Sequence, residues 1–226
     1  MKIEIWSDVV CPWCYIGKRR FDRALKNLRQ DSEIGESEAL KNLEISYRSY
    51  QLDPQAPPGS ATPVRDVYAK KFGGPERAQA IFNQLTEVAA ADDITFNFDR
   101  AVRANTMAAH RLLWKTGVEF GYQVQAALKE SLMAAYFTEG ENLGDTAVLA
   151  RCAADTWPTT PSANVILSFL ASDEGRDEFT QDLVEAASHG ITGVPTYLLD
   201  GQWAIPGAQD TETFERVLRR VIERHG

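Results

Sequence analysis

Cys11 and Cys14, separated by a proline and a tryptophan, are the residues of this chain best suited to chemistry. A CxxC pair of this kind forms half of a zinc site, a structural disulfide or a redox-active dithiol. Zinc requires further soft ligands, and the chain offers only the isolated Cys152 and three histidines, none of which forms a second paired motif. A disulfide across so short a loop adds little stability. We therefore favour the redox interpretation and expect no metal.

The position of Cys11 in the chain gives the redox interpretation a physical basis. Alternating apolar residues predict a strand over residues 2–9, and apolar residues at helical spacing predict a helix over residues 12–28. The nucleophile in disulfide exchange is a thiolate, and the unpaired N–H groups at the start of a helix stabilise its charge. We predict Cys11 as the nucleophile and Cys14, one turn later, as the resolving thiol. The three cations that begin at Lys18 are interpreted as a solvated helix face.

The elements that must position this pair lie at the two ends of the chain. Residues 43–52 alternate again and predict a second strand, and a segment rich in proline and small residues follows it. From there to residue 172 the pattern is almost wholly helical. The helices predicted in that stretch are 76–91, 105–116, 119–137 and 145–155.

The last fifty residues predict a return to mixed structure. We expect helices at 173–188 and 211–224, and strands at 194–199 and 202–205 around the turn sequence Asp200-Gly201. The chain thus begins as β-α-β and ends as α-β-β-α, which is an α/β thioredoxin fold with a large all-helical insertion. The expected division is residues 1–58 and 173–226 for the thioredoxin fold and residues 59–172 for the insertion.

A second motif, "GITGVPTYLLDG", supports the first. Pro195 stands at the start of a predicted strand, where a proline removes one hydrogen bond of the sheet. A cis peptide bond between Val194 and Pro195 accounts for its presence, since cis prolines serve tight turns. An ordinary trans proline on an edge strand is the alternative.

The two motifs together form a pattern that resembles thioredoxin-fold oxidoreductases, and the helical insertion looks like that of the DsbA subgroup. More narrowly, "SDVVCPWCYIGK", "YQLDP", "NTMAAHRL" and "GITGVPTYLLDG" resemble the FrnE-like branch of DsbA-family dithiol–disulfide oxidoreductases. The resemblance implies redox roles for Cys11 and Cys14. It also implies that Pro195 lies against the sulfurs and that the Val194 backbone pairs with an extended substrate peptide. We add Pro12 and Trp13 to this substrate-binding set.

The chain departs from this pattern in how it handles protons. Many thioredoxin-fold enzymes keep a buried acid six residues before the nucleophile, where this chain has Ile5. Asp8 is the nearest acid, and His110 in "NTMAAHRLLW" is expected to face the cleft, so both are candidates for proton transfer. Each also has a simpler explanation, since a strand-end aspartate and a core histidine are commonly held by local hydrogen bonds. Cys152 is interpreted as a buried core thiol.

Composition restricts the partners and the compartment. A net charge of −8 and a pI near 5.0 argue against nucleic acid and anionic membranes. The first residues lack the basic start and apolar core of a secretory signal, and no apolar run reaches the roughly 18 residues of a membrane span. We therefore expect a cytoplasmic protein, and in such a reducing compartment a closely spaced cysteine pair is typically catalytic or metal-binding.

Three functions remain open from the residues. The first is thiol–disulfide exchange with a protein or small-molecule substrate, with an upstream redox partner, no bound cofactor, glutathione as an optional co-substrate and a homodimer as one assembly. The second is a glutathione-dependent isomerase or transferase of the 2-hydroxychromene-2-carboxylate isomerase and kappa-class type. Those enzymes typically carry a serine where this chain has Cys11. The third is a non-catalytic chaperone that binds peptides in an apolar cleft.

Overall fold

A computed structural model describes residues 1–159 and 163–225 as a four-stranded sheet with helices on both faces. The strands are β1 (Lys2–Ser7), β2 (Glu44–Ser49), β3 (Thr196–Leu199) and β4 (Trp203–Pro206). The helices that flank the sheet in the chain are α1 (Pro12–Gln30), α2 (Glu38–Lys41), α9 (Arg176–Ser188) and α10 (Thr211–Arg224). Between them lie α3 (Val64–Phe72), α4 (Pro75–Ala90), α5 (Met107–Phe120), α6 (Tyr122–Ala134), α7 (Thr146–Thr156) and α8 (Ala163–Ala171).

The sheet order is β2-β1-β3-β4, with β2 parallel to β1 and the last two strands antiparallel to their neighbours. Side chains alternate along β1, so that Ile3 and Ile5 pack with α1 and α10 while Trp6 packs with α9 on the opposite face. The β3–β4 hairpin turns at Asp200 and Gly201, both with positive φ, as the Asp-Gly sequence predicts. The predicted thioredoxin fold with an all-helical insertion is confirmed.

The helices α3 to α8, called here the helical segment, build a hydrophobic core of their own. This core is separate from the one between the sheet, α1 and α10. The start of α1 belongs to the core of the helical segment, because Cys11, Cys14, Tyr15 and Ile16 pack there. The CxxC turn is thus held between the two cores, with its sulfurs on the side of the helical segment.

Helix boundaries differ from the prediction where a single residue changes the backbone direction. Residues 119–137 were expected as one helix, but α5 runs to Phe120 and α6 starts at Tyr122. Gly121 separates them with φ +80°, a conformation that favours glycine. The end of α6 widens into a π-helical turn, Ala135–Glu139. The short helix α2 carries too few residues for a periodic pattern and was not predicted.

The basic stretch of α1 is not a solvated face, contrary to the sequence interpretation. Lys18 is buried, and its ammonium lies 2.8 Å from an Asp22 oxygen and 2.9 Å from a Glu130 oxygen. Arg19 joins the same Glu130 at 2.6 Å, and Arg20 lies 2.7 Å from a carboxylate oxygen of the buried Asp92. These ion pairs tie α1 to α6 and to the end of α4.

Among the residues described, no helix combines the length and the apolar character needed to cross a bilayer. The longest, α1, carries a basic and ion-paired face along much of its length. The division into residues 1–58, 59–172 and 173–226 stays a prediction, although the two separate cores are compatible with it.

Gly17 gives a test of how tightly α1 packs against the loop before β3. A Cβ atom added there would lie 2.8 Å from the Tyr197 hydroxyl and 3.1 Å from Cγ of Pro195. Alanine in a helix interior normally stabilises by about 0.5–1 kcal/mol over glycine. Because both neighbours are buried, we expect Gly17→Ala instead to lower the free energy of unfolding by about 1–3 kcal/mol, as overpacking does.

Denaturant unfolding of Gly17→Ala measures this, with Gly193→Ala as the matched control. A Cβ on Gly193 meets nothing within 4 Å, so its substitution should change the free energy of unfolding by about 0.5 kcal/mol or less. A Gly17→Ala protein as stable as the wild type would show that the contact between α1 and Pro195 is loose.

Candidate active site

The CxxC turn is built by the transition from β1 to α1. Cys11 is the N-cap of α1 with an extended backbone (φ −92°, ψ 115°), and its carbonyl accepts hydrogen bonds from the N–H groups of Cys14 (3.0 Å) and Tyr15 (3.3 Å). Pro12 is the first helical residue, where its missing N–H costs nothing. The first turn of α1 contains no acidic residue. Its backbone N–H groups therefore favour negative charge on the Cys11 sulfur.

Both thiols of the pair are reduced and buried. Cys11 is 4% exposed and Cys14 is 2% exposed. Burial raises the pKa of Cys14 well above its ordinary value, and the neighbouring Cys11 sulfur and its charge raise it further. Cys14 is therefore a protonated thiol that needs a base before it can attack.

The loop before β3 meets this turn. The Val194–Pro195 peptide bond is cis, and the Cys11 thiol donates a hydrogen bond to the Val194 carbonyl oxygen at 3.6 Å. The Pro195 carbonyl accepts from the N–H of Gly207 at 2.7 Å, which holds the loop against the end of β4. Val194 is partly exposed, and the loop borders an open cleft of about 450 Å³. The structure thus brings the two cysteines and the Val-Pro motif together across more than 180 residues of chain.

The two residues inside the motif differ in exposure. Pro12 is buried, whereas the Trp13 ring is 39% exposed at the surface of the turn. Trp13 is therefore the one residue of the motif that presents a large apolar surface to solvent, as substrate contact would require. Cys152 lies outside this turn, in the middle of α7, and is fully buried in the core of the helical segment.

Asp8 and His110, predicted as two separate candidates, form one buried pair directly behind the turn. Nε2 of His110 lies 3.2 Å from Oδ1 of Asp8, and both side chains are almost fully buried. The other carboxylate oxygen of Asp8 accepts a hydrogen bond from the N–H of Leu52 at 2.8 Å. The carbonyl of Asp8 accepts from the N–H of Cys11 at 3.2 Å. Asp8 therefore accepts hydrogen bonds from local backbone groups, which was the simpler of the two explanations for it. It also orients a histidine from α5.

Lys129 was missed by the sequence analysis. It lies on α6, is 1% exposed, and its ammonium has no hydrogen-bond partner among the residues that the structure describes. Its Nζ lies 4.8 Å from the ring centroid of Tyr47. Burial lowers the pKa of Lys129 to about 8, although negative charge on Cys14 and Asp8 acts in the opposite direction. The available signal was its place on the buried stripe of α6, beside Leu128 and Leu132.

A second cleft, of about 260 Å³, opens next to the CxxC turn on the side of the helical segment. Val10 and Tyr68 line it together with Arg103, whose Nε lies 2.6 Å from a carboxylate oxygen of Asp53. Burial, together with negative charge on Cys11, raises the pKa of Tyr68 to about 12. Within residues 1–159 and 163–225, no three histidine, cysteine or carboxylate side chains are grouped as metal ligands.

Proteins similar to this chain were found by sequence and by structure. The chain is 30% identical to a probable DsbA oxidoreductase, SCO1869 from Streptomyces coelicolor, with a TM-score of 0.81 over 97% of this chain and 89% of that one. It is 24% identical to the uncharacterised protein YwbO from Bacillus subtilis, over 96% of this chain and 94% of YwbO.

More distant structures share the fold alone. They include a 2-hydroxychromene-2-carboxylate isomerase (17% identity, TM-score 0.66, 100% of this chain and 98% of that one). Another is the cytosolic disulfide reductase DsbM from Pseudomonas aeruginosa with GSH (16% identity, TM-score 0.65, 99% and 100%). The family model of the DSBA-like thioredoxin domain matches residues 2–219, nearly the whole chain. The chain therefore belongs to the DSBA-like thioredoxin domain family.

Proposed function

We propose that this protein is a thiol–disulfide oxidoreductase in which Cys11 is the nucleophile and Cys14 the resolving thiol. The observation that carries the proposal is the position of the Cys11 sulfur. It lies at the start of α1, in the same turn as Cys14 and 3.6 Å from the Val194 carbonyl oxygen. Membership of the DSBA-like family and the likeness to SCO1869 support the same reaction.

The reaction proceeds in two exchanges. The Cys11 thiolate attacks one sulfur of the substrate disulfide, an S–S bond forms between them, and the other substrate sulfur leaves as a thiolate. Cys14 then loses its proton and attacks the Cys11 sulfur, which releases the second substrate thiolate and leaves a Cys11–Cys14 disulfide. Two electrons pass from the protein to the substrate. The same steps in reverse oxidise a substrate dithiol.

Substrate docking is assigned to the surface around the Val-Pro loop. The partly exposed Val194 backbone can pair with an extended peptide in the manner of a β-strand, while Pro195 keeps the loop against the sulfurs. Trp13 and the buried Pro12 complete the set, with Trp13 supplying apolar contact. Both a protein disulfide and a small disulfide are compatible with this surface.

The finer assignments follow from the sequence and from the relatives. DsbM was solved with GSH, and that supports glutathione as a co-substrate for this chain as well. The chain has only three cysteines, two of them in the CxxC pair, and this low number favours a reducing, cytoplasmic location. The FrnE-like branch, an upstream redox partner and a homodimer stay part of the proposal as predictions from the sequence.

Cysteine variants test the assignment of roles. We expect Cys11→Ser to abolish catalysed reduction of insulin and of small disulfides, because it removes the attacking sulfur. Cys14→Ser should lose turnover but accumulate covalent complexes with disulfide substrates, because nothing remains to release them. Non-reducing electrophoresis and intact mass spectrometry detect these complexes.

Cys152→Ser is the matched control, since the same change of sulfur to oxygen is made outside the site. It should keep wild-type turnover and form no trapped complexes. The proposal fails if wild-type protein is inert toward insulin, small disulfides and reduced unfolded proteins, or if Cys14→Ser turns over as fast as the wild type.

Glutathione separates the oxidoreductase from the isomerase alternative. An isomerase of the 2-hydroxychromene-2-carboxylate type would use glutathione without disulfide exchange, so its activity would survive Cys14→Ser. We expect instead that oxidised glutathione converts the wild-type protein to its Cys11–Cys14 disulfide and that Cys14→Ser stops at a single glutathione adduct on Cys11. Mass spectrometry of both proteins after incubation with oxidised glutathione reads the two products directly. Activity with the chromene substrate in Cys14→Ser would favour the isomerase.

A further inference from the structure

We propose that Lys129 is the group that takes the proton from Cys14 when this thiol resolves the mixed disulfide. The inference rests on the proposed function, because it concerns the second of the two exchanges. It assigns a role to a buried amine that lies outside the sequence motifs and comes from the helical segment.

The position of Lys129 is fixed by the packing of α6 against β2. Gln125, one turn earlier on α6, accepts a hydrogen bond from the N–H of Tyr47 at 2.9 Å and donates one to the Tyr47 carbonyl at 3.3 Å. This bidentate contact sets the helix on the strand. It leaves the Lys129 ammonium over the Tyr47 ring. The next residue, Glu130, accepts hydrogen bonds from Tyr15 (2.7 Å) and Lys18 (2.9 Å) of α1, so this part of α6 lies against the turn that carries Cys14.

Other charged groups near Lys129 already have partners. The ammonium of Lys18 is held by Asp22 and Glu130, at 2.8 and 2.9 Å. Asp8 is engaged by His110 and by the N–H of Leu52.

The phenol groups nearby cannot serve as bases at neutral pH. Burial raises the pKa of Tyr47 and of Tyr197, so both keep their protons. Lys129 differs, because its amine is buried without a hydrogen-bond partner in the described chain and burial lowers its pKa to about 8.

Resolution needs such a base. Cys14 must become a thiolate to attack, yet burial raises its pKa. Once Cys11 is bound to substrate in the mixed disulfide, its negative charge no longer opposes ionisation of Cys14. The neutral amine of Lys129 then accepts the proton, the Cys14 thiolate attacks the Cys11 sulfur, and the substrate thiolate leaves. An ammonium remains beside the new disulfide and returns its proton to solvent.

The two exchanges can be followed in one stopped-flow trace with an aromatic disulfide whose thiolate products absorb visible light. The first equivalent released reports attack by Cys11, and the second reports resolution by Cys14. We expect Lys129→Met to leave the first phase within about twofold of wild type. The second phase should slow about a hundredfold at pH 7, the scale of general-base contributions.

The pH profile distinguishes a proton acceptor from a fixed charge. In the wild type the second phase should rise through pH 8, as Lys129 becomes neutral. Lys129→Arg keeps the positive charge but does not give up its proton, so it should lose this inflection and resolve as slowly as Lys129→Met.

Two results overturn the inference while leaving the proposed function intact. One is a normal second phase in Lys129→Met, and the other is a second phase restored by Lys129→Arg, which would show that only the charge matters. Failure of the proposed function looks different, because the first phase itself would then be absent in the wild-type protein.

Thermal unfolding of the reduced proteins gives an independent check that does not depend on activity. The pKa of Lys129 is about 8 in the folded protein, against an ordinary value of 10.5. Below pH 8 the folded protein therefore carries a buried ammonium, and its stability is lowered by the full cost of burying that charge. That destabilisation fades as the pH rises toward 10.5, because the folded state then carries a neutral amine. Lys129→Met should therefore unfold about 5–10 °C higher than wild type at pH 7, with the gap closing by about pH 10. A gap that is absent at pH 7, or independent of pH, contradicts a lowered pKa of Lys129 and overturns the inference.

Discussion

Burial of the two sulfurs against the core of the helical segment is the constraint on which the site depends. Cys11 and Cys14 pack with the apolar residues of that core and are almost fully withdrawn from water. Removing a thiolate from water is costly, so each negative charge that forms during exchange must be stabilised by fixed dipoles or by a buried cation. The start of α1 supplies the dipoles for Cys11, and Lys129 supplies a cation for Cys14 once it has taken the proton of that thiol.

The ion pairs of α1 explain how the turn keeps its place between two cores. Lys18 and Arg19 share Glu130 of α6, and Arg20 reaches Asp92 beyond α4. Single exposed ion pairs contribute little, but these are partly or largely buried and act on one helix from several directions. They neutralise the basic face of α1 and leave Lys129, the next residue to Glu130, as a cation without an acidic hydrogen-bond partner in the described residues.

Local sequence predicted the parts of this protein that local physics determines. The strand-to-helix transition at Cys11, the Asp200-Gly201 hairpin and the bounds of α10 follow from periodicity and turn preferences of neighbouring residues. The split between α5 and α6 was missed because one glycine overrides a continuous helical pattern. The Asp8–His110 contact joins residues 102 positions apart, and Lys129 looked like any lysine on an amphipathic helix. Such contacts depend on tertiary packing, and a periodic pattern in the sequence contains no information about it.

The site is consequently a joint product of both parts of the chain. The thioredoxin elements contribute Cys11, Cys14 and Asp8 at the end of β1 and the Val194–Pro195 loop before β3. The helical segment contributes apolar cover, His110 from α5 and Lys129 from α6. Without that segment the sulfurs would face water, the pKa of Cys14 would lose its main upward influence, and no buried base would be needed. The helical segment thus raises the pKa of Cys14 by burying it and, through Lys129, also supplies the base that removes its proton.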